Sequence, residues 1–300
     1  MAAILDMGER AAFATPILFL IFNRPATTRV VFESIRSVRP TSLYIAADGP
    51  RPGVEGDAQR CEEARRIAKG VDWKCSVHTL FRDRNFGIGR GVAAAITWFF
   101  KHVPEGIVLE DDCLPSPSFY RFCQELLEFH RDQPTVMHIS GNNFQYGKLR
   151  GEASYYYSQY THCWGWASWR RAWNRFDLDL LRAGSRPFVW DGEWLLAVRR
   201  HKGVAALPNV NLVQNIGFGA DATHTTRVER YAHLPAEEIP FPLRHPTRIS
   251  VDRRADTLTY YANFRRIRHL RLMPFHQIWD WIMLVPVRTR KALAKLGIRS

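Results

Sequence analysis

The sequence predicts an α/β protein with a mostly parallel central sheet flanked by helices. Over the first 112 residues, short apolar runs ended by turn signals such as Asp48-Gly49-Pro50 alternate with segments of helical periodicity. The run Ile107-Val108-Leu109 contains no polar residue, which is typical of a strand buried on both faces. The resulting order β-α-β-α-β-α-β is the pattern of parallel strands joined by helical crossovers.

The elements of this first half follow one another at short intervals. Apolar runs predict strands at 16–22, 43–47, 77–81 and 106–110. Apolar spacing and capping residues predict helices at about 28–38, 57–68 and 91–102, with Asp57 as a candidate cap of the second.

The second half is less regular and is rich in tryptophan. It predicts a helix at 117–130, a helix opening at 189–194, and strands at 136–140, 155–158, 204–207 and 210–216. A helical interpretation of the block 161–173 puts Trp166, Trp169 and Trp173 on one face. These aromatic rings suit either the protein core or a wall against which a sugar ring stacks.

Size and charge divide the chain unevenly. We expect one domain at 15–243, with a nucleotide-binding half at 15–115 and an acceptor half at 116–243, followed by a basic extension at 244–300. That extension holds 13 Lys/Arg against 3 Asp/Glu, whereas the net charge of the whole chain is +13. Such a segment indicates an anionic partner, such as a membrane surface, nucleic acid or acidic glycan, or else a solvated tail.

The cysteines and the apolar runs bear on the compartment. The five cysteines include no Cys-x-x-Cys pair, so neither a zinc site nor a disulfide framework is predicted. The N-terminus lacks the layout of a signal peptide, and no apolar run has the length of a membrane span. We therefore expect a cytoplasmic protein, with peripheral attachment to the inner membrane face through the Trp-rich stretch 278–286 and the cations after it.

The acidic triplet Glu110-Asp111-Asp112 directly follows the most apolar strand. Open α/β sheets bind ligands at the carboxyl ends of their strands. Adjacent carboxylates repel one another, and a divalent cation removes that repulsion, since Mg²⁺ often uses one or two carboxylates plus the phosphates of a substrate. The triplet thus indicates a metal–diphosphate site, with a solvated acidic turn as the alternative.

Other polar residues are predicted near the same edge or in neighbouring loops. Asp48 and Arg24 end two further parallel strands, and they could contact a base, a ribose or a phosphate, or be turn residues. Asp191 and Glu193 stand at a predicted helix start, where either could act as a general base or merely favour the helix dipole. His224, in a Gly/Thr-rich loop, could complete a metal shell or have a structural role.

Six short motifs together resemble a known family, the bacterial nucleotide-diphospho-sugar transferases labelled HlpA-like. This family is related to the eukaryotic N-acetylglucosaminyltransferase that begins complex N-glycans, and the resemblance spans about residues 15–226. The motifs are Phe22-Asn23-Arg24-Pro25, Ala47-Asp48-Gly49-Pro50, Arg84-Asn85-Phe86-Gly87, Glu110-Asp111-Asp112-Cys113-Leu114-Pro115, Cys163-Trp164-Gly165-Trp166 and the stretch from Asn215 to Thr225.

The resemblance implies a GT-A fold and a role for each matching residue. Asp112 would ligate Mn²⁺ or Mg²⁺ bridging the diphosphate of the donor, with His224 as a further candidate ligand. Asp111 would contact the ribose or the donor sugar, and Arg24 and Asp48 would hold the uridine. The remaining residues assigned to the nucleotide-sugar site from these motifs are Asn23, Arg84, Asn85, Glu110 and Trp166.

The resemblance also implies a catalytic base in front of a tryptophan at a helix start. Trp190-Asp191-Gly192-Glu193-Trp194 matches that segment with one extra residue, so both Asp191 and Glu193 are candidates.

The expected function is metal-dependent transfer of a sugar from a nucleotide-diphosphate donor to a glycan or lipid-linked acceptor hydroxyl. We expect a UDP-linked donor such as UDP-N-acetylglucosamine, inversion at the anomeric carbon, and no nucleic-acid partner. Two alternatives stay open: a non-catalytic basic module that binds nucleic acid or an anionic membrane, and a nucleotidyltransferase.

Overall fold

The computed structural model describes residues 13–177, 190–218 and 234–261. Their architecture is α/β, with a large mixed sheet of eight strands flanked by helices. The strands of this sheet are β1 (Ile17–Ile21), β2 (Ser42–Ala47), β3 (Ser76–Phe81), β4 (Glu105–Glu110), β6 (Val136–Ser140), β7 (Tyr155–Ser158), β8 (Trp166–Trp169) and β9 (Val204–Pro208). Two short strands, β5 (Cys113–Pro115) and β10 (Val213–Asn215), form a separate antiparallel pair.

The helices lie between these strands in the chain. They are α1 (Pro25–Val38), α2 (Asp57–Ala68), α3 (Gly87–His102), α4 (Pro117–Phe129), α5 (Arg170–Trp173), α6 (Trp190–Arg200) and α7 (Arg253–Thr259). None of the helices in the described ranges is both long and apolar enough to cross a membrane.

The sheet is parallel in its first half and mixed in its second. Its strand order is β3-β2-β1-β4-β8-β6-β9-β7, and β1 to β4 all run in the same direction. The α/β prediction is confirmed, whereas a mostly parallel sheet is not, because β8 is antiparallel to both β4 and β6, and β7 is antiparallel to β9. The chain directly before β7 and directly before β8 is irregular and contains no helix. Two neighbouring strands that run parallel need a long crossover connection, usually a helix.

Both faces of β1 and of its neighbours β2 and β4 are buried, as expected for strands without polar interruption. Along β1, Ile17, Phe19 and Ile21 pack in the larger core cluster, and Leu18 and Leu20 pack in the other. The Trp-rich block is helical only at α5, and the residues Trp166–Trp169 form strand β8, not the helix considered from the sequence. Its Trp166 and Trp169 therefore belong to opposite core clusters.

The chain divides into two compact units, Met1–Asp256 and Thr257–Ser300. Within the first unit, the predicted nucleotide and acceptor halves share one sheet, because Trp166 of β8 pairs with Val108 of β4. The predicted domain bounds stay predictions, and most of the basic extension lies outside the described residues.

Candidate functional site

The carboxyl ends of β1 and β4 are neighbours, and they bring two predicted site residues together. Phe19 of β1 pairs with Leu109 of β4, so the residues that follow these strands emerge side by side. The backbone N–H of Phe22 donates to Asp111 Oδ2 at 3.0 Å. Arg24 Nη1 donates to Asp112 Oδ2 at 2.6 Å. Two of the three acids of the triplet are thus each bonded to the end of β1 or to the residues that follow it.

The ion pair between Arg24 and Asp112 lies at the surface of the site, with 22% and 16% of the side chains exposed. Gly217 packs directly on it, and a Cβ at this position would collide with the Asp112 carboxylate and lie 2.9 Å from Arg24 Nη1. The backbone N–H of Ile216 also donates to the Asp112 carbonyl at 2.8 Å. The segment after β10 therefore covers the pair closely, and only glycine fits at 217.

The positive charge around the acidic triplet does not balance the negative charge of its carboxylates. Burial, followed by the charges of Asp112 and Asp111, raises the pKa of Glu110 well above its ordinary value. Burial and the charge of Asp112 raise the pKa of Asp111 to about 7, against the opposing effect of Arg24. Because a bound cation would relieve this repulsion, the edge is electrostatically suited to one.

The available donors suit a hard cation that takes most of its ligands from water and phosphate. No group of three or more His, Cys, Asp or Glu converges within ranges 13–177, 190–218 and 234–261. Asp112 provides a partly exposed carboxylate of the kind that Mg²⁺ uses with substrate phosphates. His224, the other predicted metal ligand, lies outside the described residues.

Of the two candidate bases, Asp191 is the one that interacts with the acidic triplet. Its charge raises the pKa of Glu110 and that of the Cys163 thiol, although burial is the larger cause in both cases. Asp191 is exposed, and yet desolvation raises its own pKa, as for a carboxylate on the wall of a cleft. Glu193 instead forms a 3.5 Å ion pair with Arg200 of the same helix.

Asp48 is engaged by the start of α3. Its carboxylate accepts hydrogen bonds from the backbone N–H groups of Phe86 and Gly87 at 2.9 Å. These bonds satisfy free donors of the first turn, so α3 begins at Gly87 and not at Gly91 as predicted. A Cβ at Gly91 would lie 3.0 Å from the same carboxylate.

Arg84 and Asn85 belong to the same junction between β2 and α3. The Arg84 guanidinium lies 5.1 Å from the centre of the exposed Phe86 ring. Asn85 Nδ2 donates to the carbonyl of Gly49 at 2.9 Å. A Cβ on Gly49 would collide with the Arg84 backbone, so the two loops are in close contact. Three predicted nucleotide-binding residues thus form one local cluster.

Asn23 contacts an aspartate that the sequence had suggested only as a helix cap. Asn23 Nδ2 donates to Asp57 Oδ1, and Arg51 donates to Asp57 through its backbone N–H, Nε and Nη2. Arg60 adds a bond of 3.2 Å. The Asp57 carboxylate has no exposed surface, because these side chains cover it near the surface of the molecule. The cluster fixes the loop 49–56 against the end of β1.

Trp166 is fully buried and does not present a ring to solvent. It packs against His138 and Trp190 with ring centres 5.1 Å and 5.8 Å apart. Trp164 in the same motif is only half-buried and contacts the ring of Phe218 at 5.7 Å, directly after Gly217. Its position directly before Gly165 was the available signal, but the prediction selected Trp166.

Comparison of the chain with protein-family models and with curated protein sequences found no match. The site is therefore interpreted from its own geometry and chemistry.

Proposed function

We propose that the protein is a metal-dependent glycosyltransferase of the GT-A type. It transfers a sugar from a UDP-linked donor to a hydroxyl of a glycan or lipid-linked acceptor. The observation that carries this proposal is the under-compensated acidic triplet, with the partly exposed Arg24–Asp112 pair, at the carboxyl ends of parallel strands. Nucleotides bind α/β sheets at this edge.

The donor site combines one cationic and several anionic groups. Asp112 would hold Mn²⁺ or Mg²⁺, together with His224 if that side chain reaches the edge. When bound, the metal would neutralise the negative charge that develops on the leaving diphosphate. Arg24 binds a phosphate oxygen once it separates from Asp112, since a guanidinium matches phosphate geometry. Asp111 and Glu110 orient the ribose and the donor sugar.

Asp191 serves as the general base. Its raised pKa brings it closer to neutral pH, where a carboxylate accepts a proton more effectively. The acceptor oxygen attacks the anomeric carbon, its proton passes to Asp191, and the bond between that carbon and the phosphate oxygen breaks with its electron pair going to the diphosphate. Direct displacement of this kind inverts the anomeric carbon.

The acceptor side is formed by half-buried aromatic rings. Trp164 contacts Phe218, which directly follows Gly217, the residue that packs on the Arg24–Asp112 pair. Such rings provide an apolar face for a sugar. We place the enzyme in the cytoplasm, with the basic extension as a peripheral contact to the inner membrane face.

The test is a calorimetric and thermal-shift screen of sugar nucleotides with and without Mn²⁺. We expect a UDP-sugar to bind only with Mn²⁺, and binding to be lost in Asp112→Asn. Asp72→Asn is the matched control, because Asp72 is an exposed aspartate whose partner is Arg36. Circular dichroism and the melting temperature of Asp112→Asn establish that it folds.

Two other outcomes would replace the proposal. Steeply salt-dependent binding to RNA, without binding of any sugar nucleotide, would favour a basic binding module. Turnover of a nucleoside triphosphate with release of pyrophosphate would favour a nucleotidyltransferase.

A further inference from the structure

A second concave region lies beside β7, at the end of the sheet's strand order. We call it the edge groove, and its walls are the stretch 150–157, which includes most of β7, and the segment 244–252. β7 is four strands away from β4, which is roughly 19 Å at the usual spacing of strands. The edge groove is therefore separate from the acidic triplet.

The edge groove is a built feature of the first compact unit. The backbone N–H of Ser154 donates to the carbonyl of Arg244, and that of Asp252 donates to the carbonyl of Tyr157, both at 2.8 Å. These bonds hold the two ends of the segment against the strand. Between them lies a cavity of about 550 Å³, which is within the size range of small-molecule sites.

Three arginines contribute to the walls of this cavity. Arg150, Arg244 and Arg248 line it, and none of the three forms an ion pair with the described residues. The Arg150 guanidinium donates to the neutral side-chain oxygen of Gln145, so its charge is not cancelled. The whole stretch 244–254 holds four arginines and a single acid, Asp252.

Two acids, Glu152 and Asp252, also line the cavity, so the three arginines exceed the acids there by one charge. Asp252 Oδ1 already accepts a hydrogen bond from the backbone N–H of Ala255 at 2.9 Å, at the start of α7. Glu152 is exposed to solvent. The backbone N–H groups of Thr247, Arg248 and Ser250 donate no hydrogen bond within the described part of the chain. Unneutralised guanidinium groups and free backbone donors are the groups that bind phosphate oxygens.

We propose that the edge groove is a second binding site, for a phosphate-type oxyanion, distinct from the donor site. Arg244 and Arg248 supply the guanidinium contacts from the segment, and Arg150 supplies one from the opposite wall. The anion is either a free phosphate compound or the phosphate of a lipid head group, since both present the same oxygens.

The test measures pyrophosphate binding by calorimetry in EDTA, which suppresses any metal-dependent binding at the acidic triplet. We compare the full-length protein with Arg244→Gln/Arg248→Gln. The matched control is Arg29→Gln/Arg66→Gln, which removes the same charge from exposed helix positions where each arginine lies 3.9 Å from Glu63. We expect the groove variant to bind roughly tenfold more weakly or worse, and the control to bind like the parent.

A second arm distinguishes the two sources of the anion. Sedimentation with vesicles containing one-fifth phosphatidic acid, again in EDTA, is compared among the same three proteins. If the groove variant loses vesicle binding and the control does not, the anion is a lipid phosphate. If the groove variant loses only pyrophosphate binding, the anion is a soluble ligand. The proposal is overturned if the groove variant and the control behave alike in both arms, or if the parent binds neither probe.

Discussion

Asp57 and Asp111 are two buried aspartates near the same strand ends, and their surroundings act on them in opposite directions. Asp57 accepts hydrogen bonds from Asn23, Arg51 and Arg60, and those from Arg51, followed by the one from Asn23, lower its pKa. Asp111 accepts a hydrogen bond from the Phe22 backbone and lies beside two further carboxylates, and burial raises its pKa to about 7.

The difference separates a structural carboxylate from one that is suited to a ligand. Asp57 has its charge matched within the protein, so the folded chain gains stability from its ionised form. Ionisation of Asp111 and of Glu110 costs free energy that the fold does not recover. Ionisable groups with such perturbed pKa values cluster at functional sites, where a bound cation or substrate supplies the missing charge.

The largest effect that we expect is on turnover, at Asp191. Asp191→Asn should lower the rate of donor cleavage by about 10²–10⁴-fold, because it removes the group that accepts the proton. The measurement is hydrolysis of the UDP-sugar that binds in the screen, with water in place of the acceptor. Donor affinity should stay unchanged, since the base does not hold the nucleotide.

Glu193→Gln is the comparison variant for Asp191. Its carboxylate pairs with Arg200 on the same helix, so we expect activity within about threefold of the parent. An equal loss of activity in both variants would contradict the assignment of the base to Asp191.

The next effect is on stability, at Asp57. Asp57→Asn should lower the free energy of unfolding by about 2 kcal/mol, because it leaves Arg51 and Asn23 without a charged acceptor. Urea denaturation at pH 7 measures this. Asp72→Asn, at an exposed ion pair with Arg36, should change stability by less than about 0.5 kcal/mol. If the two substitutions lower the free energy of unfolding by the same amount, the Asp57 cluster does not stabilise the fold.

The contribution of Asp57 should also depend on pH. Its folded pKa is lower than the unfolded value of about 4, so the unfolded chain binds the proton more tightly. The stabilisation is complete above pH 4 and is lost as the pH falls towards the folded pKa. The difference in unfolding free energy between the parent and Asp57→Asn should therefore be constant from pH 8 to 5 and shrink in more acidic solution. If the difference in unfolding free energy instead grew on acidification, the fold would raise the pKa of Asp57 and not lower it.

Much of the parallel half of the fold could be predicted from the sequence, because its strands are apolar without interruption and end in clear turn signals. β1, β2 and β4 were placed within one or two residues, and their parallel alignment follows from the helices between them. The meeting of Arg24 with Asp112 follows from the same alignment.

The other features depend on tertiary contacts that periodicity does not encode. The start of α3 at Gly87 depends on Asp48, which is 39 residues away in the sequence. Helical spacing of Trp166 and Trp169 was compatible with a helix, but pairing of this block with both β4 and β6 makes it a strand. Asp57 looked like an ordinary cap because nothing local indicates that Arg51 and Asn23 converge on it.

The smallest expected effect, at Asp111, tests the comparison most directly. In EDTA at pH 8, Asp111→Asn should be at least as stable as the parent, because it removes a buried charge and its side-chain oxygen still accepts the hydrogen bond from Phe22. Addition of Mn²⁺ and the UDP-sugar should then stabilise the parent more than the variant, since the ligands bind the folded state that retains the full acidic triplet. Melting temperatures with and without ligands measure both differences. A variant that is less stable in EDTA would mean that Asp111, like Asp57, is a structural carboxylate.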